Sequence, residues 1–109
     1  MKIKTIYAFS LATALVLSTG AAAAEHKIIQ KDKKFDKTEI TVKKGDTINF
    51  QNDEKDITHN VYSLSDKNAF ELKTQTPGSS SPVVMKDEGE TEVECAIHTG
   101  MKLKVKVTK

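Results

Sequence analysis

The sequence contains no arginine and no tryptophan, only two prolines and a single cysteine. Each shortage excludes something. Arginine is the planar, bidentate donor that phosphate and nucleic-acid recognition favours, so its absence argues against a nucleic-acid partner. One cysteine, Cys95, permits no intrachain disulfide. The main apolar run, Ile6 to Leu17, is too short to span a bilayer comfortably. Helical periodicity is nearly absent, which removes the helical fold classes and leaves period-two alternation as the dominant pattern.

What is present begins with the amino-terminal segment. Lys2 and Lys4 precede the apolar run, and the small residues Ser18 to Ala24 follow it with A-x-A cleavage sites. Residues 1–24 therefore read as a cleaved secretory signal and residues 25–109 as one compact domain, periplasmic or otherwise exported. The formal charge of +2 includes Lys2 and Lys4; without them 15 lysines balance 15 acidic residues. No stable membrane insertion is expected after cleavage. In an oxidising compartment a lone thiol is a liability unless it is buried, paired between chains or bound to metal.

The alternation maps a set of short strands. Lys27–Gln30 begins the first, Glu39–Val42 reads as a second, and Lys43-Lys44-Gly45-Asp46 turns into Thr47–Phe50. Thr58–Leu64 and a short Ala69–Lys73 follow. Gln75–Pro82 reads as a loop, Val83–Met85 as a strand, with Met85 as core. Asp53, Glu54 and Asp56 read as a solvated turn. The last hairpin is the clearest. In Thr91–Cys95 the odd positions share one face; in Met101–Val107 the odd positions are apolar and the even ones lysine. Folded antiparallel about residues 96–100, Cys95 faces Met101, Val93 faces Leu103 and Thr91 faces Val105. Glu94, Glu92 and Glu90 then oppose Lys102, Lys104 and Lys106, and a one-residue slip would bury every lysine.

The same register gathers soft ligands. Cys95, His98 and Met101 lie at three-residue steps in Cys95-Ala96-Ile97-His98-Thr99-Gly100-Met101, and His59 lies far upstream. One thiolate, two imidazoles and one thioether form the donor set of a mononuclear electron-transfer copper site, with a weak axial methionine. Thiolate and thioether suit Cu(I), and imidazole suits both oxidation states. Each residue alone has a plainer reading, His59 as a hydrogen-bonded loop histidine and Met101 as core. A further copper or nickel chelate would exist if cleavage followed Ala23, since a free amine with His26 third is a square-planar ligand set; cleavage after Ala24 removes it.

Two segments, Phe35–Phe50 running on to His59-Asn60-Val61, and Cys95–Met101, resemble the cupredoxin family in its small plastocyanin-, amicyanin- and pseudoazurin-like form. The resemblance implies an all-β Greek-key sandwich of about seven to eight strands. It implies a type 1 copper centre with His59, Cys95 and His98 as strong ligands, Met101 axial, and Asn60 tying the two ligand loops together by hydrogen bonds. His98 would carry the exposed ring edge that serves as electron port. The chain departs from the family pattern at Val93, where an aromatic is frequent, and at Ile97, where many members have proline.

The function expected is that of a monomeric blue-copper carrier, moving one electron through Cu(I)/Cu(II) between a redox donor protein and an acceptor. Catalysis of a substrate is not expected. Copper trafficking or storage is the alternative, using the same ligands.

Overall fold

A computed structural model describes residues 22–109. Most of the expected signal segment, residues 1–21, lies outside the described residues. Nine strands and no helix are found among the described residues: β1 (Glu25–Lys31), β2 (Lys34–Phe35), β3 (Glu39–Lys43), β4 (Thr47–Asn52), β5 (Val61–Ser63), β6 (Phe70–Glu71), β7 (Ser80–Val84), β8 (Gly89–Cys95) and β9 (Lys102–Thr108). The strands form two sheets, ordered β2-β1-β4-β7 and β3-β9-β8-β5-β6. The chain repeatedly leaves one sheet for the other, which makes the β1–β4 and β3–β9 pairings parallel and all the rest antiparallel. This is a β-sandwich with Greek-key crossovers.

The expected strands are present with shifted ends. Two differences have clear causes. β2 is a two-residue strand that sequence alternation could not signal; it exists because Phe35 drops into the core and pairs its backbone with Gln30. β7 starts at Ser80, inside the expected loop, because β4 offers an open edge that Ser80–Val84 fills. Pro82 sits there without penalty because β7 is an edge strand.

The β8–β9 register is the expected one, pairing Thr91 with Val105, Val93 with Leu103 and Glu94 with Lys102. It puts Val93, Leu103 and Val105 at zero exposure, packed with Ile28, Ile48, Phe50, Val61 and Met85. Phe50 joins the layers, with ring centroids 6.4 Å from Phe35 and 5.7 Å from Phe70. On the outer face the lysines oppose the glutamates in register, and the Lys106 ammonium pairs with Glu39 across the β3–β9 seam at 3.1 Å.

Behind the β3–β4 turn, Asp46 is nearly buried and accepts from the Lys43 N–H (2.9 Å), the Ala24 N–H (2.9 Å) and the His26 ring (2.9 Å). The His26 bond, then the two amides, hold its carboxyl at about 2, below the ordinary 3.8. A carboxyl with a depressed folded-state value stabilises the fold above its ordinary value and loses that contribution as pH falls toward the depressed one.

Two outcomes follow from this packing. Leu103→Ala should lower the unfolding free energy in urea by about 2–5 kcal/mol, since Leu103 is fully enclosed; a loss below about 1 kcal/mol would contradict the hairpin register. Asp46→Asn should flatten the decline of stability between about pH 4 and pH 2. An acid limb of unchanged steepness in thermal scans would show that Asp46 does not carry it.

Candidate metal centre

The inward stripes of three strands change character at one end of the sandwich. β1 runs from Ile28 to Gln30, β4 from Ile48 and Phe50 to Asn52, and β8 from Thr91 and Val93 to Cys95, all buried. The aliphatic core therefore gives way first to amides and then to sulfur. Asn52 shapes the segment that follows it. Its Nδ2 donates to the Ile57 and Gln75 carbonyls, both at 2.9 Å, and its Oδ1 accepts from the Glu54 N–H at 2.9 Å. Gln75 holds the next residue of the site. Its main chain forms a two-bond antiparallel bridge with His59, at 2.7 and 3.0 Å. Its side chain accepts from Gln30 and donates to the Phe50 carbonyl.

This scaffold delivers His59, fully buried, to Cys95 at the end of β8. His98 arrives from the short loop that closes β8 onto β9. The three donor atoms converge. Cys95 Sγ lies 3.6 Å from His59 Nδ1 and 3.8 Å from His98 Nδ1, and the two Nδ1 atoms are 3.2 Å apart. A point equidistant from all three lies about 2.1 Å from each, against about 2.0–2.1 Å for imidazole nitrogen and 2.3 Å for thiolate sulfur on a borderline divalent ion. The triangle is thus sized for one small ion, and two neutral nitrogens with one sulfur suit copper. Met101 is buried at the far end of the same loop, its N–H donating to the His98 carbonyl at 3.2 Å.

The surroundings orient the donors. The His59 Nε2 lies 3.0 Å from a Glu54 oxygen, so the proton sits on Nε2 and the Nδ1 lone pair faces inward. Glu54 also accepts from the Asp32 and Lys33 amides, at 3.1 and 2.8 Å. Burial raises the Glu54 carboxyl, but the Lys33 amide, His59 and the Asp32 amide outweigh it and hold it below the usual carboxylate range. His98 is held below its ordinary value by burial, then by His59 and Lys33, against the opposing pull of Glu54; a neutral ring is the form a metal needs. At the sulfur, the Asn60 N–H donates to Cys95 Sγ at 3.3 Å.

One sequence expectation changes here, and a second gains its atoms. Glu54 does not belong to a solvated turn: its side chain is only 6% exposed while Asp53 and Asp56 stay exposed. Nothing in the run Asp53-Glu54-Lys55-Asp56 distinguishes it, because burial comes from the β1–β2 turn folding over it. Asn60 acts through its main chain, the N–H on Cys95 and the carbonyl accepting from Ala96 at 2.9 Å. Gln30, Asn52 and Gln75 were not singled out by sequence reasoning. For Gln30 and Asn52 a signal existed, since both fall on the inward parity of their strands. His26 is remote from this centre, its ring held by Asp46.

Residues 22–108 match the family described as copper binding proteins, plastocyanin/azurin family. No curated protein matches the chain by sequence. Among solved structures, a novel purple cupredoxin from Nitrosopumilus maritimus superposes with TM-score 0.66 at 19% identity, over 76% of this chain and 99% of that one. The reduced Cu(I) form at pH 4 of a proline-to-glycine mutant of amicyanin gives 0.68 at 22% identity, over 82% and 85%. A copper-containing nitrite reductase from Thermus scotoductus SA-01 gives 0.73 at 17% identity, over 87% of this chain but 25% of that one.

Glu54→Gln keeps the shape of the His59 partner and removes its charge. A unit charge roughly 6–7 Å from the ion at an effective dielectric of about 20 is worth roughly 2–3 kcal/mol, so copper-loaded Glu54→Gln should show a reduction potential raised by roughly 80–130 mV. An unchanged potential in protein-film voltammetry would mean that the Glu54 charge is fully screened from the ion.

Proposed function

The chain belongs to the plastocyanin/azurin family of copper-binding proteins, and on that premise we propose that it is an exported, monomeric one-electron carrier whose copper is held by His59, Cys95, His98 and Met101. The observation that carries this reading is the triangle of two imidazole nitrogens and one sulfur, buried at His59 and Cys95 and half-buried at His98, already oriented around a single point. Bound copper would supply the one-electron Cu(I)/Cu(II) couple. Everything else is work for the protein's own side chains.

That work is to hold the donors still. His59 is fixed by Glu54 at its far nitrogen and by Gln75 at its backbone; Cys95 is fixed by strand pairing to Val61 and by the Asn60 amide. Donors that barely move between oxidation states keep the reorganisation on electron transfer small. His98 is half-buried, and Ile97 beside it is 51% exposed, so this edge gives electrons a short way out through an apolar contact. A small apolar patch of this kind fits the brief encounters of redox partners, a donor and an acceptor protein. The nitrite reductase named above is about four times longer than the region it shares with this chain, and the carrier reading needs no catalytic residue. Copper trafficking uses the same donors and differs in how readily the ion is surrendered.

Adding one equivalent of Cu(II) to the purified domain should produce an intense thiolate-to-copper band with narrow copper hyperfine splitting in EPR, bleached by ascorbate and restored by oxidant. Cys95→Ser should abolish the band. Met101→Leu should keep the colour and raise the potential, and an unchanged spectrum and potential would remove Met101 from the ligand set. A colourless protein, or rapid loss of copper to a chelator, would overturn the carrier reading in favour of a non-redox or trafficking role.

A further inference from the structure

At the end of the molecule marked by the β3–β4 turn, Asp46 is a nearly buried carboxylate whose partners are two backbone amides and one imidazole. Its side chain is 7% exposed, and that of His26 is 27% exposed. An imidazole is not a permanent cation at physiological pH, so among the described contacts this anion has no permanent positive partner. A buried carboxylate is retained at low cost only when a cation or several hydrogen bonds match it. The Ala24 nitrogen lies on Oδ1 at 2.9 Å, and the Ala24 carbonyl accepts from the Thr47 N–H at 3.0 Å. Ala24 is thus tied into the sandwich one position before β1 begins.

We propose that the exported chain begins at Ala24 and that its new α-ammonium is anchored on Asp46. The sequence alone is degenerate at this point: Ala21-Ala22-Ala23 and Ala22-Ala23-Ala24 both satisfy the small-residue rule of leader proteases. The folded domain is not degenerate. Cleavage after Ala24 deletes the partners of both Asp46 Oδ1 and the Thr47 N–H. Cleavage after Ala23 keeps both and converts a neutral donor into a charged one at the same place. The reaction consumes one water: its oxygen adds to the Ala23 carbonyl carbon, the C–N bond breaks, Ala23 leaves as a carboxylate, and the Ala24 nitrogen takes up both protons of the water to become ammonium. The resulting N⁺–H···O⁻ bond adds the attraction of two opposite charges to the amide–carboxylate bond it replaces. Anchoring also withdraws the amine and the His26 ring from the square-planar chelate that an Ala24-Glu25-His26 terminus would otherwise offer.

The inference rests on the export reading and is separable from it. Intact mass and amino-terminal sequencing of the exported protein should give Ala24 as the first residue. A retained leader would overturn export and anchoring together, whereas a start at Glu25 would overturn the anchoring alone. On the Ala24-initiated protein, acylation of the α-amine by an N-hydroxysuccinimide ester at pH 7, read by peptide mass spectrometry, should be at least about tenfold slower folded than in urea, as a rise of one unit in the amine's pKa requires. Asp46→Asn should restore the fast rate. Equal rates in the folded and urea-unfolded wild-type protein would overturn the anchor without relying on the variant to fold.

Discussion

The β8–β9 register is the constraint on which the rest depends. Side chains alternate between faces with a period of two, so the register that buries Val93 and Leu103 also decides where Cys95 points. Because Cys95 continues the inward stripe of β8, its sulfur enters the core at the end of the sandwich, with an aliphatic floor beneath it. The loop to β9 is then short enough that His98 must double back over the same end, its carbonyl taken by the Met101 N–H. The hairpin thus converts a hydrophobic pattern into a chemical position.

The other half of the site is organised by polarity. Gln30, Asn52 and Gln75 are buried amides that spend their hydrogen bonds on one another and on the backbone flanking His59. Among the described residues Gln30 Oε1 alone of the buried side-chain polar atoms lacks a partner, and the bonds that are made stiffen the network, because displacing them in a low-dielectric interior breaks bonds that water cannot replace. His59 is gripped at both ends of its residue, main chain by Gln75 and ring by Glu54. Polar and aliphatic parts of the molecule therefore do different work: the aliphatic layers supply cohesion, and the amide layer supplies aim.

Much of this was legible in the residues. The ladder Glu-x-Glu-x-Glu-Cys against Met-Lys-Leu-Lys-Val-Lys-Val has one register that keeps charge out of the core, and the structure adopts it. The soft-donor spacing from Cys95 to Met101 pointed to copper, and the matching family is one of copper-binding proteins. What escaped notice was long-range. Glu54 sits among charged neighbours and differs from them only because the Asp32–Lys33 turn closes over it. Both residues of that turn adopt positive φ, 54° and 57°, a conformation no local sequence pattern announced there. β2 and the early start of β7 likewise owe their existence to partners distant in the chain.

His59 lies on the crossover from β4 of one sheet to β5 of the other, while Cys95, His98 and Met101 close a hairpin of that second sheet. An ion held between them is a rivet through the open end of the sandwich. It ties together two stretches of chain separated by 36 residues, which an unfolded polypeptide brings together only at a loop-closure cost. An ion that binds the folded form better than the unfolded one stabilises the fold by mass action, so metal supply would bear on how long the protein survives. Copper scarcity would then expose more of the protein to proteolysis as well as leave the site without its ion.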